Sequence, residues 1–442
     1  MVVPRMEILP RRLDNGLRVN LVPDHVAPVV AVNLWYGVGS KHEPPGKTGF
    51  AHLFEHIMFQ GSAHVGKAEH IALIQAAGGT ANGTTWLDRT NYFETLPAHQ
   101  LELALWLEAD RMGTLLTALS QENLDNQREV VKNERRWSYD NRPYGSWSEK
   151  LQAHLFPPDH PYHHPTIGYM EDLERATLDD VRAFFETYYR PDNAVLTVVG
   201  DFEVEEAWGW IRQYFGPIPA GGPRPPLPDL SLPPRLGEER REVVRDRVPL
   251  ARIYVGFRAP VFGDPAFEAL EVACQILAGG KASRLHRRLV RETRLAQDVS
   301  VFALGFVGGA SVAAGWVTAR PGVELPRLEA AFLEELHALA GGPVAEDEVH
   351  RAQALIETTE LDALQHAEER ADRISMYDLL FGRPEMVVET LDRYRAVTVD
   401  AVRQVAEAVF RPDNRVVLTY LPLEEPADQA TLPQPQQSRV AA

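Results

Sequence analysis

Apolar and polar residues alternate over positions 16–22 until Pro23 interrupts them, which predicts a strand and its stop. A β-branched and aromatic run over 29–36 predicts a second strand. Beyond a glycine turn at 37–40 and a Pro/Gly loop at 44–49 the period changes. In Phe50-Ala-His-Leu-Phe-Glu-His-Ile-Met-Phe59 the polar residues recur at helical spacing within an apolar run. At 100° per residue, His52, Glu55 and His56 fall within about 100° of arc on one helical face. Polar groups on a face destined for burial require hydrogen-bond partners or a metal.

The pattern continues with a helix over 67–77, ended by Gly78-Gly79. Two Thr/aromatic runs, 80–86 and 90–96, flank Leu87-Asp88-Arg89 and predict a hairpin. Helices are expected over about 97–112 and about 120–137. Thr177-Leu-Asp-Asp180 has the form of an N-cap with an acidic first turn, opening a helix to Tyr189. Arg190-Pro-Asp-Asn193 stops it, and 194–200 reads as a strand.

Residues 217–234 contain eight prolines, which marks a stiff linker. The expected organisation is a first half over 1–216, a linker over 217–238, a second half over 239–423 and a disordered Pro/Gln/Ala-rich tail over 424–442. The halves repeat. Residues 176–195 resemble residues 397–416 at a constant offset of 221, including Thr177/Thr398, Asp179/Asp400, Val181/Val402 and the whole Arg-Pro-Asp-Asn block. The same offset carries His52, Glu55 and His56 onto Ala273, Ile276 and Leu277, and Glu134 onto Leu355. One site per chain, in the first half, is the expectation.

Composition narrows the chemistry. A net charge of −17 argues against nucleic-acid and anionic-membrane surfaces. The single cysteine, Cys274, excludes a thiolate zinc site within the chain and sits in an apolar run as a small hydrophobe. No apolar run is long enough for a membrane span, and no apolar segment resembling a signal peptide stands near Met1. A cytoplasmic location is expected if that start is native, a periplasmic one if an export signal was trimmed.

The spacing of the opening motif is H-x-x-E-H, the inverse of the H-E-x-x-H zinc motif. A hydrolytic zinc site needs a third protein ligand. The helix over 120–137 offers Glu122, Glu129 and Glu134, and spacing does not choose among them. Glu55 would serve as general base. A peptide could add to the edge of the strand over 80–86 through main-chain hydrogen bonds. His160, His163 and His164, flanked by Pro157, Pro158 and Pro165, read as an irregular loop rather than a second metal cluster.

Together, Gly37-Val-Gly-Ser40, Gly49-Phe-Ala51, His52-Leu-Phe-Glu-His56, Met58-Phe-Gln-Gly-Ser62, Gly78-Gly-Thr-Ala-Asn-Gly-Thr-Thr85, Asp88-Arg-Thr-Asn-Tyr92 and Tyr189-Arg-Pro-Asp-Asn-Ala194 resemble the pitrilysin/insulinase family of zinc metallopeptidases. The similarity spans about residues 8–422. The length and two-half layout resemble the short-chain subfamily that includes mitochondrial processing peptidase. The resemblance implies an α+β, sandwich-like fold of two homologous halves, each a mostly antiparallel sheet with helices on one side. It implies one Zn2+ per chain held by His52, His56 and Glu134, since Arg128-Glu-Val-Val-Lys-Asn-Glu134 matches the family's distal-Glu helix. Glu55 would be the catalytic base, and Asn82, Gly83 and Thr84 would bind substrate main chain. Unfolded oligopeptides would be cut within a chamber enclosed by two chains.

One departure bears on activity. The family's R-E-K-x-L-A-Y stretch, whose Arg and Tyr bind substrate and stabilise the oxyanion, reads Arg291-Glu-Thr-Arg-Leu-Ala-Gln297 here. Arg291 and Gln297 are the corresponding substrate-binding candidates. Gln297 in the tyrosine position points to a heterodimer whose homologous partner lacks zinc ligands and supplies an Arg/Tyr pair. An active homodimer and a non-enzymatic scaffold or assembly subunit are the alternatives.

Overall fold

The computed structural model describes residues 6–223 and 225–423. The tail over 424–442 lies outside the described residues. The first sheet contains β1 (Leu9–Arg12), β2 (Arg18–Pro23), β3 (Val29–Tyr36), β4 (Thr80–Thr85), β5 (Thr90–Pro97) and β6 (Ala194–Gly200), in the order β1-β2-β6-β3-β5-β4. Only β2 and β6 run parallel. The second sheet contains β7 (Arg240–Asp246), β8 (Arg252–Ala259), β9 (Ala296–Leu304), β10 (Ser311–Ala319) and β11 (Arg415–Pro422), in the order β7-β11-β8-β10-β9. Here β7 and β11 form the parallel pair. Apart from β1, the second sheet repeats the first strand for strand.

The repeated sequence blocks do the same physical work twice. Thr177 accepts from the Asp180 amide, and Thr398 from the Ala401 amide, each at 3.2 Å. Arg190 clasps Asp192, and Arg411 clasps Asp413, each at 2.8 Å. Asn193 and Asn414 then donate to the last turns of the preceding helices, at Tyr188 O (2.9 Å) and Val409 O (3.0 Å). This is how a capped helix is ended and turned into a strand in each half.

Alternation along β3 sends Val30, Val32, Leu34 and Tyr36 against helices Phe50–Ile57, Leu101–Ala118, Leu178–Tyr188 and Val204–Phe215. The second half builds its core with helices Pro265–Ala278, Leu325–Gly341 and Val399–Val409. Each half's own helices keep to one side of its sheet. The remaining faces are closed by exchange. Helix Ala367–Phe381 of the second half lies on β3 and β6, and helix Trp147–Leu155 of the first half lies on β8 and β11.

Two helices differ from the pattern reading. The third helix runs on to Ala118, past Gly113, because Met112 and Leu115 are both buried and packing outweighs the glycine. The fourth is α-helical only over Gln121–Arg135 and continues as a π-helical turn, Arg136–Asp140.

Candidate metal centre and substrate strand

Helix Phe50–Ile57 buries Phe50, Ala51, Leu53, Phe54 and Ile57, leaving His52, Glu55 and His56 half-buried on the remaining face. Its N-terminus is held by a residue that the sequence reading missed. Glu43 accepts from the Gly49 amide at 2.8 Å and the Ala51 amide at 2.7 Å, a carboxylate set at the positive end of the helix. Gly49 has φ +85°, and a Cβ there would lie 2.6 Å from Ile167 O, so glycine is required. His164 donates to the same carboxylate at 2.9 Å. His163 donates to Phe156 O at 2.8 Å. The histidine loop therefore buttresses the helix. An acid in a Pro/Gly loop shortly before a helix start was the available signal for Glu43.

Helix Gln121–Arg135 starts at a Ser120 cap and is tied at its far end by Arg135, which donates to Gly168 O and Glu149 Oε2, each at 2.9 Å. This brings Glu134 over the first helix. Glu134 Oε2 lies 3.3 Å from His56 Nε2 and 3.7 Å from His52 Nε2. The three residues offer ligand atoms within 4.8 Å of one another. Tetrahedral zinc with bonds of roughly 2.0–2.1 Å separates its donors by about 3.4 Å, so the set fits that ion. Burial and the neighbouring His56 lower the His52 pKa to about 4, which keeps the imidazole in its neutral, ligating form. Among the described residues His52 Nδ1 is buried without a hydrogen-bond partner, leaving Nε2 as the nitrogen that faces Glu134. The hydrogen bond from His56 holds the Glu134 pKa below its ordinary value. Glu122 and Glu129 are exposed and lie outside this group; Glu129 pairs with Lys132 at 2.9 Å.

Glu55 sits beside the three. Burial raises its pKa, against the pull of a 2.5 Å hydrogen bond from Thr85 Oγ1 to its Oε2. Thr85 ends β4, an edge strand that pairs only with β5 among the described residues. A Cβ on Gly83 would lie 3.2 Å from Glu55 Cγ and 3.1 Å from the Tyr92 ring, so the strand runs close against the carboxylate. Asn82 and Thr84 turn to the other face of the same edge strand, whereas Gly83, like Thr85, is gathered with Glu55. Arg291 and Gln297 are not. Both are exposed in the second half, and no hydrogen bond or ion pair among the described residues joins either to the four site residues.

A second set of ligand-type side chains, His70, Glu94 and Glu108, is buried in the first half. It is filled by Arg111, whose Nε donates to Glu108 at 2.9 Å and whose guanidinium lies 4.3 Å from the Tyr92 ring centre. In the second half, Ala273, Ile276 and Leu277 are fully buried in helix Pro265–Ala278, and the metal-type group has no counterpart there among the described residues. Cys274 is buried beside them and burial pushes its thiol pKa up, as befits a core residue.

Residues 18–157 match the family described as Insulinase (Peptidase family M16), and residues 175–356 match Peptidase M16 inactive domain. The zinc protease PqqE of Helicobacter pylori is 31% identical over 353 residues, 77% of this chain and 76% of that protein. An uncharacterized zinc protease of Mycobacterium tuberculosis is 28% identical over 91% of both chains. The crystal structure of a protease from Helicobacter pylori superposes with a TM-score of 0.87 at 26% identity, covering 95% of this chain and all 100% of that one. The first half of the periplasmic protease PqqL from Escherichia coli shares the fold, with a TM-score of 0.74 at 20% identity over 95% of this chain and 93% of that one. The chain belongs to the M16, or pitrilysin/insulinase, family of peptidases. No helix among the described residues is long and apolar enough to cross a membrane.

Proposed function

We propose that this chain is a zinc-dependent endopeptidase subunit that hydrolyses unfolded oligopeptides. The observation that carries the reading is the convergence of His52, His56 and Glu134 beside Glu55 and the β4 edge. His52, His56 and Glu134 hold one metal ion per chain. Zinc bound there supplies Lewis acidity and lowers the pKa of water at the site. Glu55 takes a proton from the attacking water on the oxygen that Thr85 leaves free, then delivers it to the leaving amine. Asn82, Gly83 and Thr84 bind substrate main chain by strand addition, a mode that tolerates many side chains and requires an unfolded segment.

The chain works as a dimer that encloses its substrate. Gln297 stands where an oxyanion-stabilising Tyr is expected, so the partner is a homologous subunit that lacks the metal ligands and supplies an Arg/Tyr pair. Hydrolysis of an internally quenched unfolded peptide tests this. Cleavage is expected from the complex co-purified from its source, with loss on chelation and recovery on adding zinc. Full activity of the purified chain alone would refute the heterodimer and favour a homodimer. The separation of Arg291 and Gln297 from the metal-type group favours a second reading, a non-enzymatic assembly subunit; absence of stoichiometric metal would select it.

A further inference from the structure

Successive side chains of β4 point to opposite faces of the sheet. Gly83 and Thr85 face Glu55, whereas Thr84 faces the side covered by helix Ala367–Phe381 from the second half. That helix presents Asp372. Its Oδ1 accepts from Trp35 Nε1 at 2.9 Å, Asn91 Nδ2 at 2.9 Å and Asn33 Nδ2 at 3.1 Å. An ionised carboxylate can only accept, so Asn91 must turn its NH2 group toward it. The Asn91 carbonyl oxygen is thereby aimed at β4, where it accepts from Thr84 Oγ1 at 2.5 Å and from Arg89 Nη1 at 3.0 Å. Arg89 also donates to Thr84 O at 3.0 Å and to Thr84 Oγ1, and lies 4.9 Å from the centre of the Trp35 ring. Asp372 thus orients the Asn91 carboxamide that accepts from Thr84 Oγ1, and Arg89, which donates to that same carboxamide, also donates to Thr84 O.

We infer that Asp372, contributed by the half without the metal-type group, is a positioning residue for the substrate strand. It fixes the Asn91 carboxamide, which fixes Thr84, which keeps the β4 edge in register beside Glu55. The inference rests on the peptidase reading only for its kinetic consequence. A loosened edge must be ordered again whenever a peptide adds to it, so the loss falls on substrate binding and spares the chemical step.

The test uses the full chain and two readouts, hydrogen exchange of the β4 amides and peptide kinetics in the active assembly. Asp372→Ala is expected to speed exchange over Thr80–Thr85 and to raise KM, each about tenfold, at nearly unchanged kcat. Asp372→Asn keeps an acceptor oxygen and is expected to stay near the parent in both. Asp378→Ala is the control. It removes bonds from Arg18 (2.7 Å) and Asn20 (2.8 Å) between the same helix and β2, far from β4, and should change neither readout. Thr84→Val, which cuts the far end of the relay without touching the interface, should match Asp372→Ala and serves if that variant does not fold. Unchanged β4 exchange in Asp372→Ala and Thr84→Val, or equal acceleration by Asp378→Ala, overturns the inference. If the parent assembly cleaves no peptide, the peptidase reading fails, and exchange alone still decides the role of Asp372.

Discussion

The two cross-packed faces occupy equivalent places in the two sheets and, at four aligned positions, are built from opposite materials. Strand register aligns Asn33 with Tyr254, Trp35 with Gly256, Asn91 with Ala314 and Thr197 with Leu418. On the first sheet these positions hydrogen-bond to Asp372 and Ser375 of the incoming helix. On the second, Tyr254 stacks on Trp147 with rings 5.0 Å apart and 5° from parallel. Gly256 leaves room for Leu151, whose Cδ1 would lie 2.5 Å from a Cβ added there. Apolar contact has no direction and fills space, whereas hydrogen bonds fix orientation. On the proposed peptidase reading, the polar positions back the strand that aims the substrate, and the apolar ones back a sheet with no metal-type group among the described residues. The same division separates His52, Glu55 and His56 from Ala273, Ile276 and Leu277.

The sharpest way to break this contrast is to make one substitution at equivalent places. Glu55→Gln should retain zinc and lower turnover by about 10²–10⁴-fold, because it removes a base and no ligand. Ile276→Gln should leave the turnover of folded protein intact and destabilise the chain by about 2–4 kcal/mol in urea titration, because it buries an amide and opens the packing. Loss of turnover in folded Ile276→Gln would contradict the division of labour. Next in size, Leu151→Ala should cost about 2–5 kcal/mol of stability, measured by the same titration, with KM unchanged. Its polar counterpart Ser375→Ala, which loses a 2.7 Å bond to Thr197, should cost about 1 kcal/mol.

Glu43→Ala tests whether the first helix needs its acid. It strands the Gly49 and Ala51 amides, so the expected loss is about 1–3 kcal/mol in thermal melts, with weaker zinc binding in titrations. The last effect is on pH dependence. Burial, then the adjacent Lys41, lowers the His42 pKa to about 4 from 6.5, and its Nδ1 accepts from the Gly39 amide. The folded state therefore binds fewer protons than the unfolded state between these values. The stabilisation is full above pH 6.5 and falls by at most about 1.4 kcal/mol per unit as pH drops toward 4. His42→Gln should flatten that segment of the stability profile.

Much of the fold was legible because its signals are local. The Thr177 and Thr398 caps, the two Arg-Pro-Asp-Asn stops and the helical spacing of His52, Glu55 and His56 each lie within a few residues. Which carboxylate meets the histidines was not legible from spacing, since Glu129 and Glu134 point about 140° apart and only the docked helix selects Glu134. The exchange of helices was hidden too, because an apolar stripe does not say which sheet it covers. Asp372 acts on Asn91 from 281 residues away, a contact that no periodicity encodes.

The most direct measurement of the central claim is the zinc content of the purified chain and two variants after equilibration with the metal. The parent and Glu55→Gln should each hold one zinc per chain, and His52→Ala should hold none. Stoichiometric zinc in His52→Ala, or none in the parent, would contradict the account.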